Sequence, residues 1–316
     1  SATSIMPGNC SFEEVDHLMK YLELVIYVPI FVCGLILNTA ALLVFCLFLR
    51  KWSESVIYMS SLALMDLLLL FLLPFKMHAT SNPWPAHLQP LCSVLESLYF
   101  VGIYGSIYTI LSIAVDRWLA ICHPFRAKQL RSPRAALLAC GGVWLVMLGV
   151  IFPTSYRFRE PGEMDFHCFH RLSEKVWSPV VIVCLLVFGF LGPSLVLVYC
   201  SLQIIWALQQ SGQSSPQSRA CLKIIYSGLS AFLLPFTPSH LAILLQFLVH
   251  QGVIQDCGAQ SNISLFIQIS MCVSNVTCCL DTLCYYFILH EVRSSRNTLQ
   301  LSILSQRRAT CSISER

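Results

Sequence analysis

Residues 54–77 read ESVIYMSSLALMDLLLLFLLPFKM, and this stretch decides the fold. From Val56 to Phe75 it is apolar apart from hydroxyl groups and Asp66. About 20 residues of this kind make a helix long enough to cross the hydrocarbon core of a bilayer. A membrane strand would be shorter and would alternate, whereas the apolar residues run without a break from Leu67 to Pro74. A helix closes its backbone hydrogen bonds within the segment, as lipid requires. The block is placed at residues 55–79, and six more like it lie outward from there, at 22–49, 90–122, 133–154, 177–208, 218–249 and 260–288. Pro29, Pro74, Pro153, Pro193, Pro235 and Pro238 fall in or at the ends of these blocks and predict kinks.

The composition excludes a water-soluble domain. Only 11% of the 316 residues are charged and 56% are hydrophobic, with a mean hydropathy of +0.69; a soluble domain carries about 25% charged residues. The expected fold is therefore an all-α membrane protein. Residues 1–21 form an extracellular N-terminus, 22–288 a seven-helix transmembrane bundle, and 289–316 a short amphipathic eighth helix with a cytoplasmic tail. Fourteen of the twenty Lys and Arg residues fall on one set of loops and the tail, which marks that side as cytoplasmic. The other side holds the acidic N-terminus and Glu160, Glu163, Asp165 and Asp256. The net charge of +4 is spread along a membrane boundary, so no nucleic-acid partner is expected. The polar, acidic start has no basic and apolar signal-peptide pattern, and the first span is expected to serve as signal anchor.

Most of the sixteen cysteines lie in apolar spans and read as small buried hydrophobes. Cys10, Cys92, Cys168 and Cys257 fall on the oxidising side, where disulfides form, and four cysteines allow three connectivities. Asn9 and Asn262 each head an Asn-x-Ser glycosylation signal on that side. An ionisable residue inside a span is a functional candidate by default. Here these are Asp66, the Asp116–Arg117 pair at the inner end of span three, and Asp281, accompanied by Asn38.

Taken in order, GLILN at 34–38, LALMD at 62–66, Cys92, Asp116-Arg117-Trp118, Trp144, Pro193, Pro238 and Asp281 to Tyr285 place one mark or more on each helix. Over nearly its whole length the chain resembles a class A (rhodopsin-like) G-protein-coupled receptor. The resemblance implies disulfides Cys92–Cys168 and, in one branch of the family, Cys10–Cys257. It implies that Asp116 holds Arg117 by a charge-assisted hydrogen bond until the C-terminal helix of Gα inserts, with Tyr199 and Tyr285 then supporting Arg117 and with Phe236 and Pro238 forming the span-six switch. It further implies a sodium pocket lined by Asn38, Asp66, Ser106 and Asp281, where two carboxylates repel unless a cation or a proton sits between them. The chain departs from the family pattern at Trp118, where Tyr is usual, Phe236 for Trp, Thr277 for Asn and Thr282 for Pro, and Pro235 is an added proline.

Within that branch, residues 54–77, LYFVGIYGSIYTI at 98–110, LRSPRA at 130–135, HLAILLQFLV at 240–249 and SMCVSNVTCCLDTLCYYF at 270–287 resemble receptors for lysophosphatidylinositol. The residues agree with an anionic amphiphile. Lys76 near the outer end of span two, with Glu96 as its alternative partner, and Phe166, His167 and His170 in the second outer loop stand above Tyr99, Phe100, Tyr104, Phe190, His240, Phe247 and Met271. A phosphate needs such donors, and an acyl chain needs such an apolar floor. For Lys76 the competing reading is a lysine that snorkels to water.

The resemblance implies coupling to G13 and Gq, with Rho activation and calcium release, at the plasma membrane. On the inner side, residues 209–218 form a short polar loop, and Val292, Leu299 and Ile303 suggest a helix lying on the membrane. Ser302, Ser305, Thr310, Ser312 and Ser314 would take phosphate from receptor kinases and recruit arrestin. The alternatives are a nucleotide or lysophosphatidic acid receptor of the same branch and, in another class, a transporter, which would show internal repeats that are not seen. No HExxH, GxSxG or phosphate-cradling loop marks an enzyme, and no cofactor beyond sodium is implied.

Overall fold

The computed structural model describes residues 10, 12–48, 52–157, 165–166, 168–169, 174–210, 216–283 and 285–286. Among the described residues, seven helices are long and apolar enough to cross a membrane: Glu13–Leu47, Glu54–Ser81, Ala86–Cys122, Pro133–Arg157, Pro179–Gln210, Cys221–His250 and Cys257–Leu283. We number the regular helices α1 (Glu13–Leu43), α2 (Glu54–Ser81), α3 (Gln89–Cys122), α4 (Pro124–Leu130), α5 (Pro133–Val146), α6 (Phe152–Arg157), α7 (Pro179–Leu186), α8 (Gly192–Gln210), α9 (Pro216–His250) and α10 (Cys257–Ser274). Spans four and five are each interrupted by a wide π-turn, Met147–Ile151 and Val187–Leu191. A two-stranded ribbon, β1 (Trp84–Pro85) against β2 (Asp165–Phe166), pairs Trp84 with Phe166. The predicted eighth helix and tail, residues 289–316, lie outside the described residues.

The helix that carries span one extends beyond the apolar block at 22–49. The helix begins at Glu13, not at residue 22. Glu13, Glu14 and Asp16 occupy its first turn, where negative charge complements the helix dipole. Val15 and Met19 are buried, and the Cys10–Cys257 disulfide ties this end to span seven. Other ends follow local chemistry. Ser132 and Ser178 accept hydrogen bonds from the N–H groups of Ala135 and Val181, each followed by a proline at the first helical position. Asp256 caps α10 in the same way, through Ala259 N at 2.7 Å.

Helix α3 runs through the bundle and packs on α2, α5, α6, α8 and α9, while α1 lies across α2 and α10. Gly102 and Gly105 let α2 approach closely: a Cβ there would come within 2.6 Å of Leu69 and 2.5 Å of Met65. Leu138, Val25 and Leu195 point outward, as a lipid-facing surface requires.

Candidate ligand pocket and coupling site

At the disulfide-bearing end Lys76 is buried, 8% exposed, inside three aromatic rings. Its Nζ lies 3.9 Å from the ring centre of Tyr99, 5.4 Å from that of Tyr27 and 5.6 Å from that of Phe169. Among the described residues no carboxylate pairs with it. Glu96, the sequence-based alternative partner, directs Oε1 to the backbone N–H of Phe169 at 2.7 Å. Phe169 follows Cys168 of the Cys92–Cys168 disulfide and has a φ of 64°, a left-handed conformation that a bulky residue rarely adopts. The disulfide and Glu96 hold it there and turn its ring toward Lys76. Glu96, Cys92 and Cys168 converge within 4.8 Å, but the two sulfurs are joined to each other, so the trio is not a metal site. Tyr99 is fixed from behind by Asn275, whose Nδ2 donates to the phenol oxygen at 3.2 Å.

Among the described residues, two cavities adjoin Phe100 and Tyr104. A central chamber of about 30 Å³ is lined by Tyr99, Phe100, Tyr104, Phe236, His240 and Met271, among others. His240 Nδ1 bonds to the Phe236 carbonyl at 2.8 Å, so Nδ1 carries the proton and Nε2 is an acceptor. That Nε2 is buried, with no hydrogen-bond partner among the described residues. The imidazole stacks on Phe190 at 4.8 Å, and Phe190 on Phe232 at 5.9 Å. A second cavity of about 610 Å³ lies between spans three, four and five, lined mainly by Phe100, Tyr104, Tyr108, Val146, Met147, Leu185, Phe188 and Gly189. Val146 and Phe188 on its rim are 51% and 65% exposed and face the bilayer side, so the cavity opens laterally. The π-turn of span five shapes it: Tyr108 donates to the Phe188 carbonyl at 2.8 Å, and Gly189 leaves the room that Tyr104 occupies.

The sequence-predicted pocket is thus divided. Tyr99, Phe100, Tyr104, His240 and Met271 come together, with Phe190 behind His240. Phe247 does not join them; it packs with Trp177, Ile182 and Ile243 in a separate cluster, because its position on α9 faces the end of span five. Lys76 lies on the wall of neither cavity, and Tyr99 stands between it and the central chamber. Phe166 is placed by the β-ribbon, and His167, His170 and Asn9 fall outside the described residues; Asn262 is exposed on α10. Sequence reading missed Tyr27, Phe169 and Asn275. An aromatic residue directly after the loop cysteine was the available signal for Phe169.

Midway along the bundle Asn38, Asp66, Ser106 and Asp281 are all fully buried. Asn38 donates to the carbonyls of Gly34 and Cys278, joining spans one and seven. Tyr285 donates to Asp66 Oδ2 at 3.1 Å, and Thr277 lies 3.4 Å from Asp281 Oδ2. Among the described residues, Asp66 Oδ1, Ser106 Oγ, Asp281 Oδ1 and Asn38 Oδ1 have no hydrogen-bond partner. Bare buried oxygens on two neighbouring carboxylates fit a small cation. The Thr277 hydroxyl also lies 3.3 Å from the carbonyl of Ala231. That carbonyl is four residues before Pro235, which has no N–H to give it. Two departures from the family pattern, Pro235 and Thr277, therefore compensate one another.

At the opposite end the expected Asp116–Arg117 contact is replaced. Arg131 approaches Asp116 with both arms of its fork, Nε to Oδ1 at 2.8 Å and Nη2 to Oδ2 at 2.9 Å. The Asp116 hydrogen bond holds the Arg131 pKa above its ordinary value. Arg117 instead donates to Ser55 of span two at 2.9 Å. Both Asp116 oxygens are taken, so its sequence neighbour is displaced. Tyr199 and Tyr285 are far from each other in role: Tyr199 is 55% exposed and leans on Trp118, whereas Tyr285 is buried against Asp66 and Phe45. Phe236 is fully buried, edge-on to Phe232 at 5.5 Å.

A ligand-sized cavity at one end, a polar cluster at mid-depth and an arginine–carboxylate pair at the other, all within seven membrane-length helices, define a multi-pass membrane receptor. Comparison with known proteins makes the class specific. The family described as 7 transmembrane receptor (rhodopsin family) matches residues 37–285, and the chain belongs to this family, the class A G-protein-coupled receptors. It is 41% identical over 295 residues to G-protein coupled receptor 55 of Homo sapiens, covering 90% of this chain and 91% of that protein. It is 32% identical over 290 residues to lysophosphatidic acid receptor 4 of Mus musculus, covering 89% and 78%, and 32% identical over 269 residues to G-protein coupled receptor 35 of Mus musculus, covering 84% of each. These relatives are receptors, and the chain is a receptor and not an enzyme.

Proposed function

We propose that this receptor sits in the plasma membrane with its N-terminus outside and binds an anionic lysophospholipid, lysophosphatidylinositol, signalling through G12/13 and Gq to Rho and calcium. The observation that carries the ligand class is Lys76: a buried ammonium surrounded by rings keeps its hydrogen-bond donors for an anion. In this reading Tyr99 turns aside to admit the phosphate to Lys76, His240 Nε2 accepts a ligand hydroxyl, and the acyl chain leaves through the lateral cavity between spans four and five. Relatives named as lysophosphatidic acid receptors support the ligand class. A nucleotide is disfavoured because spans six and seven bring no Lys or Arg to either cavity.

The polar cluster of Asn38, Asp66, Ser106 and Asp281 would hold a sodium ion that favours the resting bundle. The tail would take phosphate from receptor kinases and bind arrestin, and Asn9 and Asn262 would carry glycans. The test is Rho activation and calcium release in transfected cells given a panel of lysophospholipids and nucleotides, with Arg117→Ala as the coupling-dead control. A response to lysophosphatidylinositol that is lost in Lys76→Ala at equal surface expression is the expected result. A response to nucleotides alone, or one untouched by Lys76→Ala, would sink the ligand assignment. Sodium is expected to raise the melting temperature of the purified receptor and to leave Asp66→Asn unmoved.

A further inference from the structure

We propose that Arg131 is a positioning residue for G-protein coupling: by occupying Asp116 from the second inner loop, it keeps Arg117 on span two and available to the G protein. The backbone around Arg131 is fixed on both sides. Its N–H caps α4 by bonding to the Ala127 carbonyl at 2.9 Å, and the next residue, Ser132, caps α5. Its guanidinium is therefore presented to span three from a short junction with little freedom. Bidentate pairing of a guanidinium with a carboxylate is the strongest geometry available to either group. Asp116 is 8% exposed, so a variant lacking Arg131 leaves a carboxylate with its charge uncompensated in a poorly hydrated place. The nearest replacement is Arg117, the adjacent residue on α3. Capturing it draws the guanidinium away from Ser55 and back into the contact that the second inner loop now prevents.

The loop thus does more than supply positive charge to the cytoplasmic face. Glu54 and Tyr58 of α2 lie within electrostatic reach of Arg131, and Tyr58 of Asp116 as well, so the junction adjoins both span three and span two. A G protein that presses on the loop would act on Asp116 through Arg131. The inference rests on family membership and on this geometry, and it needs no ligand.

The test uses the full-length receptor fused at its C-terminus to a Gα subunit, so that nucleotide exchange proceeds without agonist. The Gα class giving the fastest exchange with the parent receptor is used throughout. GTPγS uptake, divided by surface receptor number, is measured for the parent, Arg131→Gln, Asp116→Asn and the double variant. Arg131→Gln is expected to lower exchange about three-fold or more, given the strength of charge-assisted hydrogen bonds. The double variant is expected to match Asp116→Asn, because without the carboxylate there is nothing to capture Arg117. Arg131→Lys, which keeps the charge but loses the fork, should fall between parent and Arg131→Gln, and it carries the test if Arg131→Gln fails to reach the surface. Exchange in Arg131→Gln or Arg131→Lys at or above the parent level, or a double variant as low as Arg131→Gln, would overturn the proposal.

Discussion

Lys76 near one end of the bundle and Arg131 near the other are both cations withdrawn from water, and they are held by different chemistry. Lys76 is 8% exposed and faces three aromatic rings, with no carboxylate among the described residues. Arg131 is 23% exposed and gives two parallel hydrogen bonds to one carboxylate. A ring attracts a cation through its quadrupole and takes none of its donors. A carboxylate neutralises the charge and takes the donors as well. The first arrangement leaves the cation's donors unspent; the second occupies them. The position of a cation in the fold thus says less about its role than the identity of what surrounds it.

The most direct way to break this comparison is to remove the open cation. Lys76→Gln keeps the length and the polarity but loses the charge. With a charge-assisted contact to phosphate lost, lysophosphatidylinositol potency in a calcium concentration–response curve is expected to fall about 100-fold. Surface expression should hold, since no carboxylate is stranded. A shift smaller than about threefold would mean that the cage is structural and that the phosphate binds elsewhere.

Double-mutant cycles on thermal unfolding sharpen the contrast. Arg131→Gln with Asp116→Asn is expected to give a coupling of about 1.5–3 kcal/mol, against about 0.5–2 kcal/mol for Lys76→Met with Tyr99→Leu. Equal couplings would remove the distinction between the two sites. A neutral counterpart lies between them, where Thr277 supplies the Ala231 carbonyl that Pro235 leaves without an N–H. Thr277→Val should destabilise the receptor by about 1 kcal/mol and should cost much less beside Pro235→Ala, which restores the missing donor. An undiminished penalty in the double variant would show that Thr277 acts through Asp281 alone.

The parts of this molecule that were legible in its sequence share one property: they are residues whose presence in their segment needs a reason. Asp66, Asn38 and Asp281 stand out because an apolar helix has no use for them, and Lys76 because burial of a charge is expensive. The helices themselves follow from runs such as Leu67 to Pro74. What could not be read depends on company, not on identity. Arg131 is one of several basic residues on one set of loops, so its charge was absorbed into the orientation argument. Tyr27 resembled any aromatic residue in a lipid-facing span. The large cavity arises where the π-turns Met147–Ile151 and Val187–Leu191 widen spans four and five, and no residue pattern announces a π-turn. The helical start at Glu13 was missed because acidic residues lower hydropathy while they favour a helix N-terminus.

Phe169 gives the smallest and most discriminating effect. Its ring is the farthest of the three from Lys76, at 5.6 Å, and its backbone is held at a φ of 64°. Phe169→Ala removes the ring and keeps the strained conformation, so it tests the cage alone. A cation–π contact near the distance limit is worth about 0.5 kcal/mol, which predicts roughly a two-fold loss of lysophosphatidylinositol potency. Phe169→Gly removes the ring and also relieves the left-handed strain, which for a non-glycine residue costs about 1–3 kcal/mol. Thermal stability should therefore be higher in the glycine variant than in the alanine variant, while potency falls by a similar amount in both. If potency instead follows stability, the geometry of the loop between spans four and five, and not the ring, is what Lys76 requires from Phe169.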